Sequence, residues 1–135
     1  MRRHMWAVVL AGWLGLGGAI SAVQGAIPWE TELEVALQKA AQSQRLVLLH
    51  FWDDNCVPCA KMEHHVFRNP EVARVLPLHY VPVKIHVRRH PELKEKYGIH
   101  AWPTDVILTP SGQEVYRGVP RPDPRHFLAT LSNVA

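Results

Sequence analysis

Apolar residues recur along the chain at two spacings, which predict an alternation of helices and strands. The segment from Pro28 to about Gln42 has helical periodicity and predicts a first helix. A continuous apolar run over 46–52 then predicts a strand buried on both faces, interrupted only by His50. Residues 60–67 predict a second helix, whose inward side comprises Ala60, Met62 and Val66.

The second half of the chain continues this pattern. Asn69 is a predicted helix cap for a short helix that ends near Val75. Residues 79–87 alternate as a strand does, and Pro82 indicates that the strand proper begins after it. A charged helical turn over 91–97 ends at Gly98. A hairpin follows, with strands at 105–108 and 113–117, and a last helix packs through Phe127, Leu128 and Leu131.

The first 25 residues differ from the rest. A short basic start is followed by an uncharged run from Met5 to Val23 and then by small residues up to Ala26. This is the layout of a secretory signal peptide, and we expect cleavage after Gly25. An uncleaved membrane anchor is the alternative, although five glycines between Gly12 and Gly25 make that span weakly hydrophobic. Residues 26–135 are expected to form one domain.

Charge excludes one class of function. Loss of Arg2 and Arg3 with the leader lowers the formal net charge from +3 to +1. The remaining domain therefore offers no basic excess for binding nucleic acid. An exported destination also suits cysteine chemistry, which needs an oxidising or actively managed compartment.

The only two cysteines form the motif Cys56-Val57-Pro58-Cys59, directly after the predicted strand and before the second helix. At a helix N-terminus, free backbone N–H groups and the helix dipole favour a thiolate at Cys56. Cys59 lies one turn further on the same face, within reach for a disulfide. Pro58 suits the first turn, where its missing N–H costs nothing. This arrangement predicts thiol–disulfide exchange, in which Cys56 attacks and Cys59 resolves the mixed disulfide.

Two other interpretations of the motif remain open. The cysteines could form half of a metal site completed by histidines, or they could be a static structural disulfide. His64 and His65 invite the metal interpretation, but adjacent helical residues diverge by about 100°, so they do not easily ligate together. We expect no metal and no cofactor besides the redox-active pair.

In combination, these motifs resemble the thioredoxin-like superfamily over nearly all of residues 29–131. The resemblance rests on Phe51-Trp52, the cysteine motif, Lys84, Tyr97-Gly98-Ile99, Pro103-Thr104 and Ser111-Gly112. Lys61-Met62-Glu63 and the segment 66–72 are similar to exported thioredoxin-like proteins, such as the C-terminal domain of thiol:disulfide interchange protein DsbD. The implied fold is α/β, with a central mixed sheet flanked by helices in a single domain.

The resemblance also implies roles for individual residues. Cys56 would be the exposed nucleophile and Cys59 the buried resolving thiol. Pro103 would be a cis-proline that lies against the cysteines, and with Trp102 and Pro58 it would contact an extended substrate segment.

The chain departs from the family at several positions. His50 stands where thioredoxins carry a buried acidic residue that helps to move the proton of the resolving cysteine, so His50 and Lys84 become candidates for tuning thiol protonation. Asn55 replaces a tryptophan, and Trp102 replaces a smaller aliphatic residue. Asp53 and Asp54 would raise a nearby thiol pKa if they pointed at it, and we expect them to face water instead.

The prediction is therefore an exported, periplasmic-type thiol–disulfide oxidoreductase, held at the membrane if the first 25 residues are retained. It would act on cysteine-containing exported proteins as a reductant supplied by a membrane electron donor. Two rivals remain, namely a metal-binding module of the copper type and a protein-binding module without redox turnover.

Overall fold

A four-stranded mixed sheet forms the centre of the computed structural model, which describes residues 25–135. The strands are β1 (Leu46–Trp52), β2 (Tyr80–His86), β3 (Thr104–Leu108) and β4 (Glu114–Gly118), in the spatial order β2-β1-β3-β4. Strand β1 pairs parallel with β2 and antiparallel with β3, and β3 pairs antiparallel with β4. The predicted mixed-sheet α/β fold is confirmed.

Helices cover both faces of this sheet. They are α1 (Leu33–Ser43), α2 (Val57–Met62), α3 (Pro70–His79), α4 (Pro91–Lys96) and α5 (Pro124–Val134). A π-helical turn, Glu63–Phe67, continues directly from α2. The second predicted helix is thus one helical segment whose last part is wound more loosely.

Successive residues of β1 point to opposite faces and so join two separate apolar clusters. Val47, Leu49 and Phe51 pack with Ala36 and Ala40 of α1. On the other face, Leu48 packs with residues of the segment that follows the cysteines and of the last helix, including Met62, Val66, Phe127 and Leu131. Ala60, which was expected to point inward, is exposed because it lies on the solvent side of α2.

The first helix begins later than its sequence predicts. Residues 28–30 are not helical, and Glu30 forms an isolated parallel bridge with Val83 of β2. The Glu30 N–H donates to the Pro82 carbonyl at 2.8 Å, and the Glu30 carbonyl accepts from the Lys84 N–H at 3.1 Å. These bonds satisfy the outer edge of β2 and delay the helix to Leu33.

Pro82 lies inside β2, contrary to the prediction that the strand starts after it. Its carbonyl faces outward to Glu30, so its nitrogen lies on the outer side of the strand, where no ladder bond to β1 is lost. Helix α3 also extends beyond Val75 to His79 despite containing Pro77. Leu76 and the following Tyr80 are buried in the same apolar cluster, which favours the longer helix.

Two predicted helix boundaries, the start at Asn69 and the stop at Gly98, are confirmed. Asn69 Oδ1 accepts from the N–H groups of Glu71 and Val72 at 2.9 and 3.3 Å, which caps α3. Gly98 follows α4 with a φ of 60°, a left-handed conformation that favours glycine. The proposed leader, residues 1–25, lies outside the described residues except for Gly25.

A hydrogen bond between Tyr80 and the last helix allows a stability prediction. The buried Tyr80 hydroxyl donates to the Leu131 carbonyl of α5 at 2.6 Å, and burial raises the pKa of Tyr80 to about 12. Tyr80→Phe should lower the unfolding free energy by about 1 kcal/mol in urea titrations, because the carbonyl loses its donor. Tyr116→Phe, on β4, is the control; an equal loss in both variants would contradict this assignment.

Candidate active site

The two cysteines meet at the start of α2, immediately below the carboxyl end of β1. Cys56 is the N-cap residue of this helix, and it forms a disulfide with Cys59 over a Cα–Cα distance of 5.2 Å. The backbone N–H of Cys59 points at Cys56 Sγ, 3.1 Å away. When the pair is reduced, this N–H can stabilise negative charge on Cys56 by a charge-assisted hydrogen bond.

The local sequence explains why the pair sits at a helix start. Strand β1 ends at Trp52, and residues 53–55 form the loop that turns the chain into α2. Pro58 occupies the first turn of the helix, where no intrahelical donor is needed. Pro58 and Val57 are exposed, and Val57 retains 70% of its accessible surface. The expectation that Cys56 is exposed is wrong: it retains 9% of its accessible surface and Cys59 6%, because the Trp102 carbonyl lies over Cys56 Sγ. Both cysteines lie beside the exposed apolar patch of Val57 and Pro58.

A second loop packs against the disulfide. The Trp102–Pro103 peptide bond is cis, as the family resemblance implies, and Pro103 is buried immediately before β3. The Trp102 carbonyl oxygen lies 3.5 Å from Cys56 Sγ. The Trp102 ring is half-buried, with Lys94 Nζ 5.8 Å from its centroid. The loop at residues 102–103 thus lies against the Cys56 sulfur.

His50 forms a buried pair with an aspartate that sequence reasoning did not single out. His50 Nδ1 lies 2.7 Å from Asp105 Oδ1, and the two side chains are 2% and 6% exposed. Residues 50 and 105 are direct partners of the antiparallel β1–β3 ladder. An available signal was the position of Asp105, an acidic residue within the apolar strand that directly follows Pro103-Thr104.

Lys84 lies on the same face, one strand away. Its Nζ donates to Glu63 Oε2 at 2.6 Å and lies 5.0 Å from the Trp29 ring centroid. One open cleft of about 300 Å³ is lined by Glu63, Lys84, His50 and Cys59. The structure therefore brings both predicted tuning residues into the cleft that reaches the second cysteine.

The expectation that Asp53 faces water is wrong. Its side chain is only 8% exposed, and both of its oxygens accept from Arg88 Nε at 3.0 Å. The Arg88 guanidinium holds the pKa of Asp53 below its usual range. Asp54 is largely exposed as expected, but one of its oxygens lies 2.7 Å from His86 Nε2. These contacts connect the loop that precedes Cys56 to His86 and Arg88.

Within residues 25–135, no close group of three potential metal ligands includes either cysteine. Between Gly25 and Ala135, the one group of three whose ligand atoms lie within 4.8 Å of one another comprises Asp53, Asp54 and His86. Arg88 already binds the Asp53 carboxylate. His64 and His65 are exposed on the helical segment after the motif. In this disulfide form the cysteines offer no thiolate to a metal.

Comparison with known proteins places this geometry in a family. Residues 20–134 match the family described as "Thioredox_DsbH: Protein of unknown function, DUF255". The chain belongs to this thioredoxin-like family. The expected membership of the thioredoxin-like superfamily is thereby confirmed.

Two curated animal proteins are similar to the chain over part of their length. Spermatogenesis-associated protein 20 of Homo sapiens is 29% identical over 99 residues, which cover 67% of this chain. An uncharacterized protein of Caenorhabditis elegans is 30% identical over 91 residues, which cover 62% of it. The aligned region is 12% of the length of each relative. The chain therefore aligns with only a small part of the length of both relatives.

Solved structures agree with the fold of this Thioredox_DsbH member. A thioredoxin from Thermus thermophilus is 30% identical with a TM-score of 0.70, covering 82% of this chain and 88% of that one. A "DsbH Oxidoreductase" gives a TM-score of 0.72 at 19% identity over 82% and 85% of the two chains. The C-terminal domain of Neisseria meningitidis DsbD gives 0.65 at 17% identity over 79% and 99%. The expected likeness to the DsbD domain holds at the level of the fold.

The loop before Cys56 yields a pH prediction. A carboxyl group whose pKa is lower in the folded than in the unfolded protein stabilises the fold. This stabilisation is fully present at pH values above the unfolded pKa of about 4, and it is lost as the pH falls through the lower folded pKa. Arg88→Met removes the largest cause of the lowered pKa of Asp53. The melting temperature of this variant should therefore lie below that of the unmodified protein at pH 7 and approach it below about pH 4.

Thermal unfolding monitored by circular dichroism at pH 3 to 7 measures this difference. Arg89→Met is the control, since Arg89 is a neighbouring exposed arginine. A difference in melting temperature that stays constant across this pH range would contradict the Asp53–Arg88 assignment.

Proposed function

We propose that this protein is an exported thiol–disulfide oxidoreductase that exchanges disulfides with cysteine-containing exported proteins. The observation that carries the proposal is the Cys56–Cys59 disulfide at the start of α2, with the Trp102 carbonyl 3.5 Å from Cys56 Sγ. A redox pair at a helix start beside a cis-proline loop is suited to exchange with an extended segment of another protein.

Exchange would proceed in two steps from the reduced protein. The Cys56 thiolate, stabilised by the Cys59 N–H, attacks one sulfur of a substrate disulfide, and the other substrate sulfur leaves as a thiolate. Cys59 then attacks Cys56 Sγ, which releases the second substrate thiolate and forms the Cys56–Cys59 disulfide. The substrate gains two electrons, and the cysteine pair loses two.

Trp102, Pro103 and Pro58 are the proposed substrate contacts. They surround Cys56 from two sides, and exposed Val57 adds apolar surface to the same rim. A substrate segment in extended conformation could pair its backbone along the loop at 102–103, while its cysteine lies over Cys56. The Trp102 indole would then restrict which side chains flank that cysteine.

The reducing direction and the membrane electron donor are the finer parts of the proposal. They are supported by the likeness to the DsbD C-terminal domain, whose solved structures include an oxidised and a reduced form. Export is supported by the layout of residues 1–25. In the part of the chain from Gly25 onward, no helix has the length and apolar character to cross a bilayer.

The reduction potential of the cysteine pair tests the direction. We expect a value near −270 mV, similar to that of thioredoxin, when the protein is equilibrated with glutathione and dithiothreitol buffers of graded ratio. Acid-quenched alkylation followed by mass spectrometry measures the reduced fraction. A value near −120 mV would instead indicate an oxidant. Absence of any reversible couple would replace the enzyme proposal with a binding module.

Substitution of each cysteine tests the assigned order of attack. Cys56→Ser should abolish reduction of a disulfide-bonded protein such as insulin, because no nucleophile remains at the helix start. Cys59→Ser should instead accumulate a mixed disulfide through Cys56, because the resolving thiol is missing. Non-reducing electrophoresis detects this adduct, and dithiothreitol should release it. Adducts that form equally in both variants would contradict the separate roles of the attacking and resolving cysteines.

A further inference from the structure

Trp102 lies beside Cys56, and a lysine lies over its indole ring. The Trp102 carbonyl oxygen is 3.5 Å from Cys56 Sγ, and Lys94 Nζ is 5.8 Å from the indole centroid. The ammonium is thus one side chain away from the attacking sulfur. A charge in this position acts on any segment of another protein that reaches Cys56 along the loop at residues 102–103.

Helix α4 and the loop that contains Trp102 are joined by backbone and apolar contacts. The Lys94 carbonyl accepts a hydrogen bond from the Ile99 N–H at 2.9 Å. Leu93, Tyr97 and Trp102 all pack against the apolar cluster that contains Ile99. The position of the lysine backbone relative to the indole is therefore set by the fold, and only the flexible lysine stem is left to adjust.

No carboxylate of the described residues forms an ion pair with Lys94. Among residues 25–135, the lysines that do form ion pairs are Lys39 and Lys84. Residues 1–24 contain neither aspartate nor glutamate. The ammonium over the indole is therefore available to a carboxylate of another molecule.

Other charges near the cysteines are already paired or point elsewhere. In the loop that precedes the cysteines, the carboxylates of Asp53 and Asp54 are bound to Arg88 and His86 respectively. Lys61 of α2 is exposed and lies about 200° around the helix from the second, buried cysteine. The ammonium over the indole is the charge that an approaching segment meets beside the attacking sulfur.

We propose that Lys94 and Trp102 together select substrate segments that carry an acidic side chain next to the reacting cysteine. The proposal rests on the exchange function proposed above and names the class of segment that this function accepts. The methylene part of the acidic side chain packs on the indole, and its carboxylate lies beside the ammonium. A basic side chain in the same place meets a like charge and is disfavoured.

The pair also distinguishes acidic from apolar neighbours of the substrate cysteine. An apolar side chain can pack on the indole, but it removes water from the ammonium without giving it a partner, which carries a desolvation cost. A carboxylate replaces that water by a charge-assisted contact. Trp102 thus supplies contact area, and Lys94 supplies the preference for negative charge.

The reaction of Cys56 with a chromogenic peptide disulfide measures this preference. Three short peptides each contain one cysteine, linked as a mixed disulfide to 2-thiopyridine and flanked on both sides by glutamate, glutamine or lysine. The Cys56 thiolate of the reduced protein attacks the peptide sulfur, and the thiopyridine leaves and is protonated by solvent to the absorbing pyridine-2-thione. Each rate constant is divided by that of the same peptide with dithiothreitol, which removes differences in intrinsic disulfide reactivity.

The sign of the charge at residue 94 should decide the ranking of the peptides. The unmodified protein should react about two- to fivefold faster with the glutamate peptide than with the glutamine peptide, as expected for a solvent-exposed charge pair, and slowest with the lysine peptide. Lys94→Gln should abolish this ranking and leave the rate for the glutamine peptide nearly unchanged. Lys94→Arg should retain the ranking, and Lys94→Glu should reverse it.

Lys96→Gln is the matched control. Lys96 also lies in the last turn of α4, and its Nζ lies 5.5 Å from the centroid of another aromatic ring, that of Tyr97. This variant loses the same charge and should keep the ranking. Equal weakening of the ranking in Lys94→Gln and Lys96→Gln would indicate an effect of net charge and would overturn the proposal. Slowing of all three peptides by one factor in Lys94→Gln would indicate an effect on the Cys56 thiolate and would overturn it as well.

A salt titration of the unmodified protein tests the proposal without any variant. The preference for the glutamate peptide should shrink between about 10 mM and 1 M sodium chloride, because the Debye length falls from about 30 Å to about 3 Å. A preference that is absent at low salt, or that does not change with salt, would overturn the proposal and leave the exchange function standing. Release of pyridine-2-thione by Cys56→Ser at the rate of the unmodified protein would instead contradict the exchange function itself.

Discussion

The register of β1 between its two neighbours is the constraint on which the rest of the site depends. Its pairing places Lys84 of β2, His50 of β1 and Asp105 of β3 in one row across three strands. The same strand ends at Trp52 and delivers Cys56 to the start of α2. A slip of one residue would turn this row to the opposite face, away from the cysteines, and would bury polar groups against α1. Apolar packing on both faces of β1 therefore fixes the position of the chemistry.

A row of polar residues within this apolar sheet is stable because each member has a partner. Asp105 binds His50, Lys84 binds Glu63, and the Lys84 ammonium also lies near the aromatic rings of Trp29, Trp52 and Phe67. Cation–π contacts of this kind contribute about 0.5 to 2 kcal/mol depending on desolvation. Removing either member of the buried His50–Asp105 pair would leave the other without its hydrogen-bond partner. The aromatic residues around the cleft thus support the polar groups rather than merely filling space.

The sequence predicts the elements whose signals are local. The apolar run over 46–52 gives β1 with its observed bounds, and Asn69 and Gly98 mark helix ends through their own backbone or side-chain bonds. The errors concern contacts between distant residues. Asp53 was expected to be solvated because its partner, Arg88, lies 35 positions away, and Asp105 is 55 positions from His50. Residues 28–30 are not helical, because Glu30 forms an edge bridge to β2 that no helical periodicity reveals.

The two sulfur atoms face different environments, and this asymmetry links the fold to the proposed reaction. Cys56 lies against the 102–103 loop and the exposed rim, where another protein can approach. Cys59 faces inward to a cleft lined by His50, Glu63 and Lys84. Substitutions at the rim and substitutions at residues lining the cleft therefore act on different sides of the disulfide. Because the helix start separates these surfaces, the same sheet can accommodate a histidine–aspartate pair without changing the surface that a substrate meets.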